Sequence, residues 1–350
     1  MKDSLLKESN TVNEAVKILE EKKVKSVFVI DDDMTLKGIF TRGDLRQFML
    51  DNGDMNAPLS IAMNRTPLTF YSAEDAKIYS QNKRRIVYPI VDEKRRLKDV
   101  LYNTWDVIAE ASDSKCLQNI PLVIMAGGLG KRLYPLTKVL PKALIPIGDY
   151  TISERIINNF KNWGCKDVYF ILNHKADMIK AYFEDLNKDY KVHYIKEDEF
   201  LGTGGGLCLL KEKISSTFIL SNCDILVNAD IDCLLKVHRS NENIITFVGA
   251  MKQIGIPYGV LQTNKDGRIE NLNEKPELSF LINTGVYVIE PEVISNLNDG
   301  EFKNLTDIAE EYIGLEKNVG VFPITEKSWL DMGQFDEMEE MMKALGIEEK

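Results

Sequence analysis

The segment Gly127-Gly128-Leu129-Gly130-Lys131-Arg132 sets three glycines and two cations side by side, and Lys138 and Lys142 follow within the next turns. Glycines lack the Cβ that keeps backbone N–H groups away from a polyphosphate. The cations would meet the charge of such a ligand in a chain whose formal net charge is −10. Two common phosphate loops fail here on spacing. A P-loop needs Ser or Thr after its Gly-Lys, yet Arg132 follows Lys131; a dinucleotide fingerprint needs a third glycine where Leu133 stands. A tight turn with a solvated basic face is the plain alternative. It leaves unexplained why the glycines, Pro135, Pro141 and the four cations coincide.

Acids stand at two further places. Asp224 ends the apolar run from Thr217, and Asp331 lies within Trp329-Leu330-Asp331-Met332-Gly333; either alone reads as a turn residue. A second glycine cluster, Leu201-Gly202-Thr203-Gly204-Gly205-Gly206, follows Glu197-Asp198-Glu199, and Glu274-Lys275-Pro276 forms a charged loop. His174, His193 and His238 have no neighbouring nucleophile pattern and no metal-ligand spacing. They read as surface or packing residues.

The elements that must hold these residues follow from periodicity. Ile120–Met125 is a short apolar run suited to a strand buried on both faces, so the glycine loop sits at a strand's carboxyl end. Thr151 and Glu154 form a capping box for a helix with Ile152, Ile156, Ile157, Phe160 and Trp163 inward, stopped by Gly164. Strands at 168–172 and 192–195 flank a helix beginning near Ala176. This alternation predicts a Rossmann-like, doubly wound α/β domain over residues 120–350.

Ahead of it lies a repeat. Thr11 to Ala15 aligns with Ser72 to Ala76, Val27 to Asp31 with Tyr88 to Asp92, and Leu36-Lys37 with Leu97-Lys98. Each copy opens with a hydroxyl followed three residues later by an acid, a helix-start signature. In the first copy Val12, Ala15, Val16 and Leu19 form one apolar face. The unit is helix–strand–strand–helix, twice, over about 5–60 and 61–115, and the polar residues 111–119 read as a linker.

The second half resembles the sugar-nucleotide pyrophosphorylases, whose signature Gly-Gly-x-Gly-x-Arg-Leu-x-Pro-x-Thr…Pro-Lys is met from Gly127 to Lys142, with similarity extending over about 121–340. The resemblance implies that Gly127, Gly128, Gly130, Arg132 and Lys142 hold a nucleoside triphosphate. It further implies that Asp224 and Asp331 hold Mg²⁺, and that Lys275 meets the sugar 1-phosphate, with Glu274, Gly259 and Asn283 on the sugar. Glu197, Gly202 and Thr203 would lie against the base, and the Gly-Thr-Gly-Gly run looks closer to guanylyltransferases. Thr284 departs from the Ala usual in relatives.

The N-terminal half resembles an α+β tandem pair of CBS domains over residues 1–115. Thr41 and Asp44 stand where such domains contact a ribose, while Tyr102 and Trp105 replace them in the second copy. The implied roles are an adenine-nucleotide site or, alternatively, a structural module that pairs two copies into a homodimer. The whole domain order is similar to guanylyltransferases that act on glucosamine 1-phosphate in bacterial legionaminic acid biosynthesis. The expected reaction is GTP plus glucosamine 1-phosphate to GDP-glucosamine and pyrophosphate. UTP, dTTP or CTP, and mannose or heptose 1-phosphate, are the alternatives, as is a nucleotide sensor whose transferase domain is inactive.

Bulk properties bound these expectations. With 44% hydrophobic and 28% charged residues, 350 residues can build two ordinary soluble cores. The acidic balance argues against nucleic acid and anionic membrane as partners. Five cysteines, an odd number without metal spacing, and no apolar leader or spanning run fit a cytoplasmic protein.

Overall fold

Two compact units account for the chain: Met1–Ala111 with Met251–Phe280, and Ser112–Ala250 with Leu281–Lys350. The computed structural model describes residues 4–22, 24, 26–51, 53–80, 87–102 and 115–347.

In the first unit a short strand β1 (Leu5–Leu6) precedes α1 (Val12–Glu21), β2 (Ser26–Ile30), β3 (Leu36–Thr41) and α2 (Arg42–Leu50). The second copy gives α3 (Ala73–Ser80), β4 (Val87–Val91) and β5 (Leu97–Tyr102). Thr11 and Glu14 close a reciprocal capping box on α1, and the four expected side chains, Val12, Ala15, Val16 and Leu19, are its buried face. Such a cap is worth about 1 kcal/mol. The repeat is visible in backbone detail. Met34 and Arg95, equivalent turn residues, both adopt positive φ, and Leu36 N–H donates to Arg95 O while Leu97 N–H donates to Met34 O, each at 2.9 Å. Trp105 and the closing helix of the second copy lie outside the described residues.

The second unit is built on a seven-stranded sheet. Its strands are β6 (Leu122–Ala126), β9 (Asp167–Leu172), β10 (Lys191–Lys196), β11 (Phe218–Asn222), β13 (Ile245–Gly255), β16 (Glu277–Ile289) and β17 (Val319–Thr325), in the order β10-β9-β6-β11-β16-β13-β17. The two-residue strands β7 (Pro146–Ile147) and β8 (Tyr150–Thr151) form a ribbon ahead of α5 (Ile152–Lys161), and α4 (Leu136–Val139) is a single turn. The other helices are α6 (Ala176–Asp185), α7 (Gly202–Gly205), α8 (Ile231–Ser240), α9 (Pro291–Asn296), α10 (Leu305–Gly314) and α11 (Phe335–Ala344). Strands β12 (Ile225–Val227) and β18 (Trp329–Asp331) pair with each other, as do β14 (Val260–Thr263) and β15 (Ile269–Asn273), the latter pair within the first unit.

Both faces of the sheet are covered. Along β6, Leu122, Ile124 and Ala126 enter one apolar cluster with Ile156, Phe160, Phe170 and Phe183; Val123 and Met125 enter the other with Leu207, Leu220 and Ile308. That alternation is why the strand is apolar throughout. β10, β9, β6 and β11 run parallel, while β16 lies antiparallel to β11. The chain leaves β6 for β9 on one side and returns to β11 on the other. The loop after β6 therefore stands at a topological switch point, where doubly wound sheets open a crevice.

The segment expected to be linker is corrected at its end. Leu117 is buried in the second unit and its N–H donates to Trp163 O at 3.0 Å, whereas residues 111–114 lie outside the described residues. Among the described residues no helix is long and apolar enough to cross a membrane.

Candidate active site

The loop after β6 uses each glycine differently. Gly130 has φ +63°, and a Cβ there would come within 2.7 Å of Thr137 Cγ2; the Thr137 hydroxyl donates to Gly130 O at 3.0 Å. A Cβ on Gly127 would strike Glu197 Oε2 at 2.7 Å. Gly128 faces open space, with nothing within 4 Å of where its Cβ would stand. Leu129, Lys131, Tyr134, Thr137 and Lys138 line an open hollow of about 400 Å³ on this loop.

Lys142, at the start of a short turn after Pro141, forms an ion pair with Asp224, and both side chains are largely buried. Asp224 follows β11, and Asp331 ends β18; the β12–β18 ladder sets Ile225 opposite Asp331, and Met332 N–H donates to Asp224 O at 2.9 Å. Burial pushes the Asp331 carboxyl up to about 6, with the Asp224 and Glu337 carboxylates adding to the shift and Lys142 opposing it. Asp331 Oδ1 and Glu337 Oε2 are buried without hydrogen-bond partners.

Gly333 marks the point where these groups gather. A Cβ there would lie 2.9 Å from Glu337 Oε2, 3.2 Å from Asp331 Oδ1 and 3.5 Å from Arg132 Nη1. Arg132, Lys142, Asp224 and Asp331 thus lie near one another. Glu337 was not legible in sequence, because it is one acid among several on an amphipathic helix. Among the described residues no cluster of three or more His, Cys, Asp or Glu has the geometry of a metal site. Any ion here would depend on two carboxylates plus ligand or water oxygens.

Glu197 joins the two glycine clusters. Its residue is 1% exposed, and neither carboxylate oxygen has a hydrogen-bond partner. A Cβ on Gly206 would fall 2.2 Å from Oε1, just as Gly127 crowds Oε2. Burial pushes this carboxyl up to about 7, opposed only weakly by the Leu201 backbone amide, which falls short of a well-formed hydrogen bond. Gly202 (φ +83°) and Thr203 lie in α7, which packs on the segment before α10: a Cβ on Gly202 would strike Lys303 O at 2.5 Å, and Thr203 Oγ1 accepts from Leu305 N–H at 3.2 Å. The second glycine cluster is therefore helical and tightly packed. Its glycines serve close approach of backbone.

The expected sugar residues fall in different units. Gly259, Glu274 and Lys275 belong to the unit that includes Met251–Phe280. Within it, Lys275 has φ +50° and its N–H donates to Tyr258 O at 3.3 Å, and a Cβ on Gly259 would meet Glu274 Oε2 at 2.7 Å. Asn283 belongs to the other unit; its side chain donates to Tyr287 OH at 2.9 Å and accepts from Gly285 N–H at 3.0 Å. Thr284, the departure from the usual Ala, is buried, and its hydroxyl donates to Val248 O at 2.7 Å. That bond satisfies the extra polar atom.

In the N-terminal unit, Thr41 and Asp44 are engaged with each other. The Thr41 N–H and hydroxyl donate to Asp44 Oδ2 at 2.8 and 2.7 Å, and Asp44 N–H donates back to Thr41 Oγ1 at 3.3 Å, capping α2. Two of the histidines have local partners: His238 is buried between Thr246 and Glu290, and burial lowers its pKa; His193 stacks on Tyr169 and lies 3.2 Å from Asp167 Oδ1.

Comparison with known proteins bears on both halves. A family model described as nucleotidyl transferase matches residues 122–347, and one described as CBS domain matches residues 5–51. The chain is 30% identical over 198 residues to a UTP–glucose-1-phosphate uridylyltransferase of Synechocystis, covering 51% of each protein. It is 33% identical over 211 residues to the bifunctional protein GlmU of Methanococcus maripaludis, covering 57% of this chain and 48% of that one. To a mannose-1-phosphate guanyltransferase of Pichia angusta it is 31% identical over 226 residues, 61% of this chain and 60% of that one. The chain thus spans about half the length of the first of these relatives. Among solved structures, HddC from Yersinia pseudotuberculosis superposes with a TM-score of 0.52 at 23% identity, over 65% of this chain and 99% of that one. That likeness shows the fold.

Proposed function

The chain belongs to the nucleotidyl transferase family, and from that premise we propose that it transfers GMP from GTP to glucosamine 1-phosphate, giving GDP-glucosamine and pyrophosphate. The observation that carries a transfer reaction is the closeness of Arg132, Lys142, Asp224 and Asp331 to one another beside a glycine turn at the sheet's switch point.

In this reading an oxygen of the sugar 1-phosphate attacks the α-phosphorus as the bond to the β-phosphate oxygen breaks, and the electron pair departs with pyrophosphate. Two anions must meet, so the barrier is one of positioning and charge neutralisation, and no protein nucleophile is needed. Arg132 covers the leaving pyrophosphate, Lys142 turns from Asp224 to the α-phosphate, and Gly127, Gly128 and Gly130 let backbone amides close on the triphosphate. Of the residues expected at the sugar, Asn283 belongs to the same unit as these groups. Asp224 and Asp331 suit a magnesium ion, since both offer hard oxygen donors and Asp331 Oδ1 is buried without a protein partner. When bound, such an ion supplies Lewis-acid neutralisation of phosphate oxygens.

Glu197 supports guanine. Its two unpartnered acceptor oxygens match the N1–H and N2 amino donors of guanine, and those donors would stabilise the ionised carboxylate that burial disfavours. Uracil and thymine offer one N–H flanked by two carbonyl oxygens, which a carboxylate repels. For the sugar, the support is the order of a CBS domain ahead of a transferase, as in the guanylyltransferases of legionaminic acid biosynthesis. The N-terminal module is proposed to act structurally, by pairing two copies, since Thr41 and Asp44 are bound to each other in a helix cap.

Pyrophosphate release measured across GTP, UTP, dTTP, CTP and ATP, each with glucosamine, mannose and glucose 1-phosphates, tests the substrates. GTP with glucosamine 1-phosphate should lead. Glu197→Gln should lower kcat/KM for GTP about 10²-fold, as expected for lost charge-assisted hydrogen bonds, and leave UTP turnover little changed. Folded Arg132→Ala and Asp224→Ala variants should lose about 10²–10³ in kcat; near-normal turnover in either would sink the transfer mechanism.

A further inference from the structure

Lys175 lies in neither glycine cluster, yet it is tied to the loop that carries the cations. It precedes α6 in the left-handed region, φ +55°, and is half-buried. Its ammonium donates to Thr137 O at 2.8 Å and to Lys138 O at 2.7 Å. Those carbonyls need an outside donor. They belong to the one-turn helix α4, where the residue four places beyond Thr137 is Pro141, which has no N–H, and the one beyond Lys138 is Lys142, already in a separate turn. A cation at a helix carboxyl end also suits the local dipole.

The contact reaches the glycine turn in one further step. Thr137, whose carbonyl Lys175 holds, is buried and donates its hydroxyl to Gly130 O at 3.0 Å. Two residues before Lys175, Asn173 Nδ2 donates to Glu197 O at 3.2 Å, and Asn173 Cβ lies 3.2 Å from where a Gly127 Cβ would stand. The short connection from β9 to α6 therefore brackets the phosphate loop at both ends.

We propose that Lys175 is a positioning residue for the phosphate loop: its ammonium pins α4, and through Thr137 it sets the curvature of the turn that presents backbone amides, Arg132 and Lys142 to the triphosphate. The kinetic consequence rests on the transferase reading given above; the structural consequence does not. Its predicted mark is a weakened hold on the triphosphate with the chemical step largely preserved.

The test uses Lys175→Met, Lys175→Gln and Lys175→Arg in the full-length chain, with hydrogen exchange in the absence of substrate and steady-state kinetics with GTP. Lys175→Met should speed exchange of amides 130–140 about 10-fold relative to wild type and leave the rest of the second unit unchanged. It should raise KM for GTP by a similar factor with kcat within about 3-fold, the scale of one or two lost hydrogen bonds. Lys175→Arg should restore both readouts. If Lys175→Met does not fold, Lys175→Gln, which keeps an uncharged amide NH₂ donor on a shorter side chain, should show the same local exchange at smaller amplitude. Exchange unchanged at 130–140, or raised evenly over the unit, overturns the proposal, as does failure of Lys175→Arg to recover. Absence of turnover with every nucleotide would count against the transfer reaction, while the exchange arm would still decide Lys175.

Discussion

At the scale of single residues, the buried acid Glu197 ties specificity to stability. Its carboxyl, ordinarily near 4.5, is pushed up to about 7 by burial. The raised folded value means that its stabilising contribution is complete below about pH 4.5 and is lost as pH rises through about 7. Asp331, pushed up to about 6, adds a slope of the same sign. Thermal unfolding of the ligand-free chain between pH 5 and 8 should therefore show a falling Tm, and Glu197→Gln should flatten most of that fall. A Tm in the variant that keeps the full wild-type slope would assign the dependence elsewhere. The residues that announce themselves in sequence are those whose types are costly out of context, namely grouped glycines and cations in an acidic chain. Glu337 and Lys175 are common types in common surroundings. Only their long-range neighbours give them meaning.

At the scale of elements, the glycines separate into two kinds. Gly202, with φ +83° and Lys303 O 2.5 Å from its missing Cβ, is held by packing against backbone that cannot yield. Gly128, with nothing within 4 Å, is held by no neighbour. Gly202→Ala should cost about 2–4 kcal/mol in urea unfolding, from strain at positive φ plus overpacking. Gly128→Ala should leave the unfolding midpoint within about 0.5 kcal/mol of wild type yet weaken binding of the triphosphate. Equal stability losses in both variants would refute this division. Caps and apolar faces were legible: Thr151 with Glu154, Thr11 with Glu14, and the inward side chains of α1 and α5. Local hydrogen bonding and periodicity write those features into a few adjacent residues. The antiparallel insertion of β16 beside β11 was not legible, since a pattern of faces says nothing about which strand lies next to which.

At the scale of the molecule, the duplicated N-terminal unit could be found by self-comparison, and its turn-to-turn hydrogen bonds between Leu36, Arg95, Leu97 and Met34 follow from that duplication. The grouping of Met251–Phe280, which carries Gly259, Glu274 and Lys275, with the N-terminal residues could not be found that way. It reflects three-dimensional proximity that leaves no periodic trace. The β12–β18 ladder also couples the second carboxylate to the core. Met332 and Met341, which follow Asp331, are fully buried in one of the two apolar layers, so that layer is complete only once the segment carrying Asp331 has docked. Whatever loosens residues 329–341 must therefore loosen that layer and the placing of residue 331 opposite residue 225 together.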